Sequence, residues 1–479
     1  MGISELKTKT VKGLLWGGLN NGVQQLISVV LGLVLLNKLS PADYGLVGML
    51  AIFIGIANTL QEGGFTSALT NRRQYRHKDF NAVFWFSIAV SLSIYAVLWF
   101  CAPLIARFFG HPELVLIARV QFLTFVFNSM AITHNAFLFK NMMVRQRATY
   151  DVIAALASAV IAIYLALRGY GYWALVIHSV SFSAIGAFLK WIYVPWKPSF
   201  RITLTPIFEM FRFSINLVAS SLVLQIQTNI FSIILGRKFT KQDVGYYGQG
   251  MKWSNLMLSM FNGIFNSVSQ PVFSRISDDR ERQTRVFKKL ISLVSIMIFP
   301  IMLGIAFVGN EFITIINPDF IPCVPILRMY CIYCIASAIY GIYTQLAISH
   351  GKSRLCLTIN MINAVLQIAS ALITYRFGME TMAMSVTAIN FAMLLVWHFS
   401  AGKLVNFNFL NLLFHTLPYL GITLAAIAAA SATCSLLDGT ALILTVKILI
   451  TATLYVTMLY LFNKKLFFEA LQMFKERKI

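Results

Sequence analysis

The chain has 479 residues, of which 58% are hydrophobic and only 12% are charged, and its formal net charge is +22. A soluble domain is about one quarter charged and less than half apolar, so the composition excludes an ordinary soluble protein. Apolar runs of the roughly 20 residues that cross a bilayer recur along the whole chain. They lack the apolar–polar alternation of transmembrane strands, so the sequence predicts an all-α protein with many membrane spans.

Taken in chain order, the apolar runs predict fourteen spans. The first follows Lys7, Lys9 and Lys12 and contains four neutral amides, so we interpret it as a spanning helix rather than a cleaved signal peptide. The predicted spans are 13–36, 45–70, 81–104, 115–139, 150–168, 173–194, 213–236, 245–270, 290–309, 326–348, 355–375, 380–400, 413–436 and 441–462.

Lys and Arg residues are unevenly distributed over the segments between these spans. If the N-terminus is cytoplasmic, 27 of the 39 Lys and Arg residues lie on that side and 7 on the other. Cytoplasmic loops of membrane proteins carry such an excess, so both termini are predicted to be cytoplasmic. The anionic inner leaflet then explains most of the net charge without a nucleic acid partner.

A short turn recurs after 200 residues. The segment LSPADYG (39–45) follows the first predicted span, and FTKQDVG (239–245) follows the seventh. Residues 35–67 and 235–267 are identical at eight of 33 positions without gaps, whereas ordinary residue frequencies give about two or three. Because six spans separate the copies, both begin on the same side of the membrane, which is typical of two-lobed transporters built from a parallel repeat.

The repeat divides the chain into three predicted parts. Residues 1–194 form an N-terminal lobe of six helices, residues 195–400 form a C-terminal lobe of six helices, and residues 401–479 add two helices and a basic cytoplasmic tail. The longest predicted loops have 16 residues on the outer side and 19 on the inner side. Neither loop can hold a catalytic domain, so we expect a transport protein rather than an enzyme.

Four segments resemble a known family. They are LSPADYG followed by an apolar helix, GGFTSALTNRR (63–73), PVFSRISDDRERQTRVFKKL (271–290) and CVPILRMYCIYCIAS (323–337). In this order, and with fourteen spans, they resemble the polysaccharide-transport branch of the multidrug/oligosaccharidyl-lipid/polysaccharide (MOP) exporter superfamily. The resemblance extends to the bacterial lipid-linked oligosaccharide flippases of the O-antigen, capsule and colanic-acid type.

The resemblance implies two six-helix lobes around a central cavity, with alternating access. It implies an oligosaccharide on undecaprenyl pyrophosphate as substrate, whose head crosses from the inner to the outer leaflet of the bacterial cytoplasmic membrane while the lipid tail stays in the bilayer. Membrane lipids, a polysaccharide polymerase and chain-length machinery are the further partners it implies. It implies H⁺ or Na⁺ as a coupling ion and no bound cofactor.

The first predicted span departs from two other branches of the superfamily. Lipid II flippases carry an Arg-Asp pair in this helix, and multidrug transporters commonly carry a carboxylate that binds Na⁺ or H⁺. Here the region reads GGLNNGVQQL (17–26), without a charge. A lipid II substrate and a drug substrate are therefore both disfavoured.

Charged residues inside the predicted spans are candidates for the substrate site, because such residues usually face a cavity or extend to an interface. A diphosphate group needs cationic partners, and Arg suits it as a two-pronged donor. Two further charged residues, Asp151 and Lys190, lie near span ends. Four cations lie one to two turns from the outer side and either bind the substrate or extend to the headgroups: Arg119, Lys252, Arg328 and Lys447.

Neutral amides in the first span and its repeat counterpart are further candidates. They can hydrogen-bond sugar hydroxyls, or they can hold neighbouring helices together. They are Asn20, Asn21, Gln24 and Gln25 in the first span, and Gln225, Gln227 and Asn229 in the seventh.

Glu62 is the single carboxylate deep in a predicted span. It is a candidate coupling-ion site or a salt-bridge partner in gating, and a structural hydrogen-bonding role is the alternative. The six cysteines include Cys331 and Cys334 in one apolar run, where a thiol packs as a small apolar side chain. We therefore expect no metal site and no disulfide framework.

Two other functions fit part of the pattern. One is a cation-coupled antiporter for drugs or small molecules in the same superfamily. The other is a membrane polysaccharide polymerase or ligase, but enzymes resembling the known families have a large outer loop bearing Arg and His, and the outer loop 310–325 has neither. The acidic pair Asp278–Asp279 is followed by RERQTR, which predicts a helix-capping charge run rather than a metal site.

The predicted orientation can be tested with single cysteines at Arg76 and Asp319 in a cysteine-free background. In intact cells an impermeant thiol reagent should label position 319, because its loop is predicted to be periplasmic. Position 76 should be labelled only after permeabilisation. The reverse pattern would show that the chain is inserted with the opposite orientation.

Overall fold

A computed structural model describes residues 3–62, 76–200, 205–276, 278–435, 437–464 and 467–468, and it contains no β-strand within these ranges. Three short 3₁₀ helices, Pro318–Cys323, Tyr375–Phe377 and Gly402–Val405, connect α-helices. The predicted all-α membrane architecture is confirmed. The helices are α1 Ile3–Lys38, α2 Pro41–Met49, α3 Ala51–Glu62, α4 His77–Phe109, α5 Leu114–Gln121, α6 Leu123–Lys140, α7 Val144–Leu167, α8 Trp173–Tyr193, α9 Thr205–Lys238, α10 Lys241–Arg275, α11 Arg280–Ile316, α12 Val324–Ser349, α13 Ser353–Thr374, α14 Met379–Ala401, α15 Phe409–Cys434 and α16 Thr440–Phe462.

Twelve segments of the described chain are long and apolar enough to cross a membrane, the first at Trp16–Lys38 and the last at Thr440–Phe462. Each coincides with one of the predicted spans. The other two predicted spans, 213–236 and 245–270, lie within α9 and α10, which are helical over 34 and 35 residues but are not among the twelve. The number fourteen therefore stays a prediction.

The chain divides by packing into two compact units, Met1–Gly245 and Tyr246–Ile479. Helix α9 belongs to the first unit because it packs against α3 and α4. The boundaries predicted from the sequence, at 194/195 and 400/401, follow the repeat rather than the packing. The division into two six-helix lobes and an additional pair stays a prediction.

Small residues hold part of the first unit together. Helices α1, α7 and α8 meet in an apolar cluster in which alanines of α7 and α8 pack with two leucines of α1 and with Leu39, which directly follows it. Small side chains let membrane helices approach closely, so that van der Waals contact replaces the hydrophobic driving force that lipid does not supply. The cluster consists of Leu31, Leu35, Leu39, Ala159, Ala162, Ala166 and Ala174.

Helices α2 and α10 begin with the same capping arrangement. The Asp43 carboxylate accepts a hydrogen bond from the Ser40 backbone N–H (2.9 Å), and the Ser40 hydroxyl accepts one from the Asp43 N–H (3.3 Å). Thr240 and Asp243 make the equivalent bonds at 3.0 and 3.2 Å. The two aspartates thus have the same local role, as the repeat predicts.

The first turns of α2 and α10 also contact each other, backbone to backbone, within the first unit. A Cβ atom added to Gly45 would overlap the carbonyl oxygen of Lys241, and one added to Gly245 would overlap the carbonyl oxygen of Pro41. The two contacts are related by the same shift of 200 residues as the sequence repeat. Both positions therefore require glycine for close approach.

Helix α11 is central to the second unit, where it packs against α12, α15 and α16. Asp279 caps its N-terminus, since its carboxylate accepts a hydrogen bond from the Arg282 N–H at 2.9 Å. The interpretation of the acidic pair as a capping run is thus confirmed for Asp279. Phe287 of α11 is fully buried against Tyr343 of α12, with ring centroids 4.9 Å apart.

Two polar contacts attach α16 to α11. The Lys447 ammonium lies 2.8 Å from the Glu311 carboxylate, and each of these side chains is 14% exposed. The Tyr455 hydroxyl donates to the carbonyl oxygen of Ile296 at 2.6 Å. A buried ion pair is costly to break on one side only, because the remaining charge has no partner.

The glycine contact predicts that Gly45→Ala and Gly245→Ala each destabilise the protein. Overpacking typically costs about 1–3 kcal/mol, and here the overlapping atom belongs to the backbone and cannot rotate away. Gly248→Ala on α10 is the matched control, because a Cβ there meets open space; it should be neutral or slightly stabilising. Equal melting temperatures for all three purified variants would contradict this account of the contact.

The ion pair predicts strong coupling between Lys447 and Glu311. Lys447→Met and Glu311→Gln should each lower the melting temperature, since removing one partner of a buried pair costs about 3–5 kcal/mol. The double variant should recover most of the loss. An unchanged melting temperature for Lys447→Met together with lost transport would instead support the substrate-binding role predicted from the sequence.

Candidate functional site

Five helices of the first unit, α1, α3, α6, α7 and α8, surround a polar cavity of about 280 Å³. Its walls carry an unusual number of side-chain amides for membrane helices. A buried amide without a hydrogen bond is unfavourable, so such a cluster marks a place where polar partners are expected. The amides are Gln24, Asn58, Gln61, Asn128 and Asn135.

Some of these amides are held in place by hydrogen bonds. The Gln61 side chain is 3% exposed, and its Nε2 donates to the carbonyl oxygen of Phe125 at 2.6 Å. Nε2 of Gln24 donates to Oδ1 of Asn20 at 2.9 Å. In contrast, the buried Oδ1 of Asn135 has no hydrogen-bond partner among the described residues. The cavity therefore combines fixed amides with an acceptor that lacks a donor.

A charged group lies at one side of the cavity. The Lys190 ammonium is 2.7 Å from Oδ1 of Asp151, and Nε of Arg147 is 3.7 Å from Oδ2 of the same carboxylate. The Lys190 side chain is 7% exposed, while that of Arg147 is 44% exposed. Two cations face one carboxylate, so this group has a surplus of one positive charge.

An aromatic ring and small residues complete the walls. Phe182 and Ser183 of α8 line the cavity together with Gly186. Gly186 lies against Ala154 of α7, where an added Cβ would meet the Ala154 methyl group at an ordinary 3.7 Å. The apolar ring and the amides thus face the same space.

The amides predicted from the first span have different positions. Gln24 lines the cavity and Asn20 bonds to it. Asn21 is exposed, and the Gln25 Nε2 atom is buried without a partner among the described residues. Of these four amides, Gln24 therefore lines the cavity, and Asn20 is connected to it through its hydrogen bond with Gln24.

The amides predicted from the seventh span lie on α9. Nδ2 of Asn229 donates to Oε1 of Gln225 at 3.1 Å, and Gln225 lies beside Gly55 of α3, where an added Cβ would be 2.5 Å from its Oε1. Gln227 is partly buried on the same helix. Gln225 and Asn229 thus bond to each other and pack against α3.

The four predicted cations have distinct surroundings. The Arg119 guanidinium lies over the Trp99 ring, 4.5 Å from its centroid, and Lys447 is paired with Glu311. Lys252 is partly buried, and its ammonium lies 5.6 Å from the Trp253 ring centroid. Arg328 is exposed, and its Nε donates to the carbonyl oxygen of Ala306 at 3.1 Å. Their binding of the substrate stays a prediction.

Two other predictions concern ion sites. Glu62 ends α3, and its side chain lies outside the described residues, so its coupling or gating role stays a prediction. Over the described ranges no group of three or more His, Cys, Asp or Glu side chains has the arrangement of a metal site.

Sequence reasoning missed most of the cavity. Asn58 and Gln61 are three residues apart, and Asn128 and Asn135 are seven apart, which are spacings that place side chains on one face of a helix. Arg147 and Asp151 are four apart, the spacing of an intrahelical ion pair. A search of each apolar span for one polar face would have found these residues.

Comparison with known proteins identifies relatives. A family described as polysaccharide biosynthesis protein matches residues 35–325. The lipopolysaccharide biosynthesis protein WzxC of Escherichia coli (strain K12) is 24% identical over 341 residues, covering 68% of this chain and 67% of that protein. The succinoglycan biosynthesis transport protein ExoT of Rhizobium meliloti (strain 1021) is 23% identical over 272 residues, covering 57% and 55%.

Two solved structures share the fold. The lipid II flippase MurJ in an inward closed conformation has a TM-score of 0.76 at 17% identity and covers 95% of this chain and 99% of that one. A multidrug resistance MATE family transporter of the MOP superfamily, in an inward-facing conformation, has a TM-score of 0.65 at 16% identity, with 80% and 94% covered. At 17% and 16% sequence identity, the similarity to these two structures shows a shared fold and nothing about function. Because the family match spans more than half of the residues, the chain belongs to the polysaccharide biosynthesis protein family.

Proposed function

We propose that this protein moves an oligosaccharide linked to undecaprenyl pyrophosphate from the inner to the outer leaflet of the bacterial cytoplasmic membrane by alternating access. The observation that carries the proposal is a polar cavity among membrane helices in a chain of this family. A sugar head cannot cross a hydrocarbon layer of about 30 Å unaided, because its hydroxyls would lose their hydrogen bonds. A cavity lined by amides replaces part of that hydration.

The relatives support this class of function. One is named for lipopolysaccharide biosynthesis and another for succinoglycan biosynthesis transport, and the structural neighbour MurJ is a lipid II flippase. Two of these names concern saccharide biosynthesis, one of them also transport, and the third is that of a flippase. We propose that this chain is likewise a flippase, and that its saccharide differs from that of lipid II.

The pyrophosphate of the substrate needs cationic partners, and we assign that role to Lys252 and Arg328. Neither has an acidic partner among the described residues, whereas Lys447 is paired with Glu311. Lys252 lies between Gly250 and Ser254, which contact α12: the Ser254 hydroxyl donates to the carbonyl oxygen of Leu327 at 3.3 Å. Helical geometry places Lys252 on the opposite face of α10 from this contact, so its ammonium is not used in packing against α12.

The proposal includes an energy source and partners. Net transport to one leaflet against a gradient requires a driving force, and we propose that an H⁺ or Na⁺ gradient supplies it. A polysaccharide polymerase and chain-length machinery on the outer side would then consume the transported units. The protein itself is proposed to carry out no covalent step.

Deletion of the gene in the bacterium that encodes this chain tests the proposal. Surface polysaccharide should disappear, and lipid-linked oligosaccharide should accumulate in the inner leaflet, because synthesis of the unit continues while its transfer stops. A plasmid copy should restore both. Normal display in the deletion strain together with increased drug sensitivity would favour a small-molecule antiporter, and loss of display with full-size units in the outer leaflet would favour a polymerase or ligase.

Variants in the same strain test the two cations. Lys252→Ala and Arg328→Ala should each reduce display while abundance in the membrane is unchanged, and Arg328→Lys should recover only part, because an ammonium cannot make a two-pronged contact. Arg376→Ala is the matched control, since Arg376 is an exposed cation after α13. Wild-type display by the double alanine variant would show that Lys252 and Arg328 only extend towards the headgroups.

A further inference from the structure

The cavity of the first unit has the chemistry of a carbohydrate site. An amide side chain is both a donor and an acceptor of hydrogen bonds, as a sugar hydroxyl is, and five amides and the Ser183 hydroxyl line this one space. Phe182 supplies an apolar surface beside them, which suits the C–H face of a sugar ring. Binding sites for small molecules commonly combine apolar or aromatic walls with a few placed polar groups.

The arrangement is partly preorganised. Hydrogen bonds to Phe125 and Asn20 fix the Gln61 and Gln24 amides, and the ion pair with Lys190 fixes the Asp151 carboxylate. The buried Oδ1 of Asn135 is left without a partner among the described residues. Since buried acceptors are nearly always bonded, this atom is open to a donor that enters the cavity, and a sugar hydroxyl can take the place of water there.

The volume of the cavity and the charges that line it limit the kinds of ligand that can bind there. A volume of about 280 Å³ is at the lower end of ligand pockets, which hold about 300–1,000 Å³, so it suits one ring rather than a whole repeat unit. Asp151 is satisfied by Lys190 at 2.7 Å, while Arg147 is only 3.7 Å from it and is 44% exposed. The surplus positive charge therefore favours a ring that carries a carboxylate.

We infer that this cavity binds a single sugar ring of the transported glycan and prefers a hexuronic acid to the corresponding neutral hexose. The inference rests on the proposed function, because it assigns the ring to the transported substrate. The amides and Phe182 hold the ring, and Arg147 holds its carboxylate. The site lies entirely within the first unit.

The test uses the full chain in lipid nanodiscs and six probes: the methyl glycosides of glucose, galactose and mannose, and those of their three uronic acids. Saturation-transfer NMR and titration should detect binding of at least one pair, with the uronide bound several-fold more tightly than its neutral counterpart. No binding of any of the six probes would overturn the inference.

Variants locate the binding. Phe182→Ala should weaken it at least tenfold, and Asn135→Ala should weaken it less, through loss of one hydrogen bond. Phe188→Ala is the matched control, because Phe188 lies on the same helix but is 71% exposed and does not line the cavity. If Phe182→Ala and Phe188→Ala weaken glycoside binding equally, or if neither weakens it, the sugar binds elsewhere and the inference is overturned.

Arg147→Gln tests the charge preference separately. It should abolish the advantage of the uronide while the neutral glycoside still binds, which loss of folding cannot produce. A retained preference would overturn the assignment of Arg147.

The display assay separates this inference from the proposed function. If no glycoside binds while the plasmid copy restores display in the deletion strain, the sugar site is wrong and the transport proposal stands. If glycosides bind in the cavity but deletion leaves display normal, the transport proposal fails, and with it the assignment of the ring to a transported glycan.

Discussion

The close contact between Gly45 and Gly245 is the constraint on which the first unit depends. Each glycine faces a backbone carbonyl at the start of the opposite helix, so the first turns of α2 and α10 meet without a side chain between them. Capping boxes at Ser40 and Thr240 fix the conformation of both first turns at this contact. Asp43 also accepts a hydrogen bond from the Tyr172 N–H at 2.8 Å, which ties the start of α8 to the same turn. The same short sequence pattern thus caps a helix, allows the glycine contact and, through Asp43, binds the start of α8.

The cavity differs from the glycine contact because it keeps helices apart rather than bringing them together. Whereas the glycine contact excludes everything between two backbones, the cavity leaves about 280 Å³ among five helices and lines it with polar groups. In a membrane protein such a space is stable only if its polar groups bond to one another, to water or to a ligand. The Asp151–Lys190 pair and the Gln24–Asn20 bond meet that condition internally. Oδ1 of Asn135 has no such bond among the described residues, so this oxygen is left to water or to a ligand.

Local patterns in the sequence predicted what depends on local chemistry. Twelve spans follow from apolar runs of sufficient length, and the equivalence of Asp43 and Asp243 follows from the shared Asp-x-Gly of the two turns. Helices α9 and α10 contain the other two predicted spans, which stay predictions because neither helix is among the twelve apolar segments. The pairing of Lys447 with Glu311, 136 residues earlier in the chain, has no local signature. The polar faces that line the cavity do have local spacings, but the sequence does not show that the amides of three helices meet in one space, because they become a group only after folding.

The charges inside the membrane helices separate into two classes once their partners are known. Lys190 and Lys447 are each paired with a carboxylate, so replacing either would remove the nearest counter-ion of that carboxylate. Lys252 and Arg328 have no carboxylate partner in the described part of the chain. A cation held in a membrane helix without a counter-ion is costly, and this cost is reduced when an anionic group binds there. We therefore propose the second class for contact with the pyrophosphate of the proposed substrate, whereas the ion pairs of the first class join neighbouring helices.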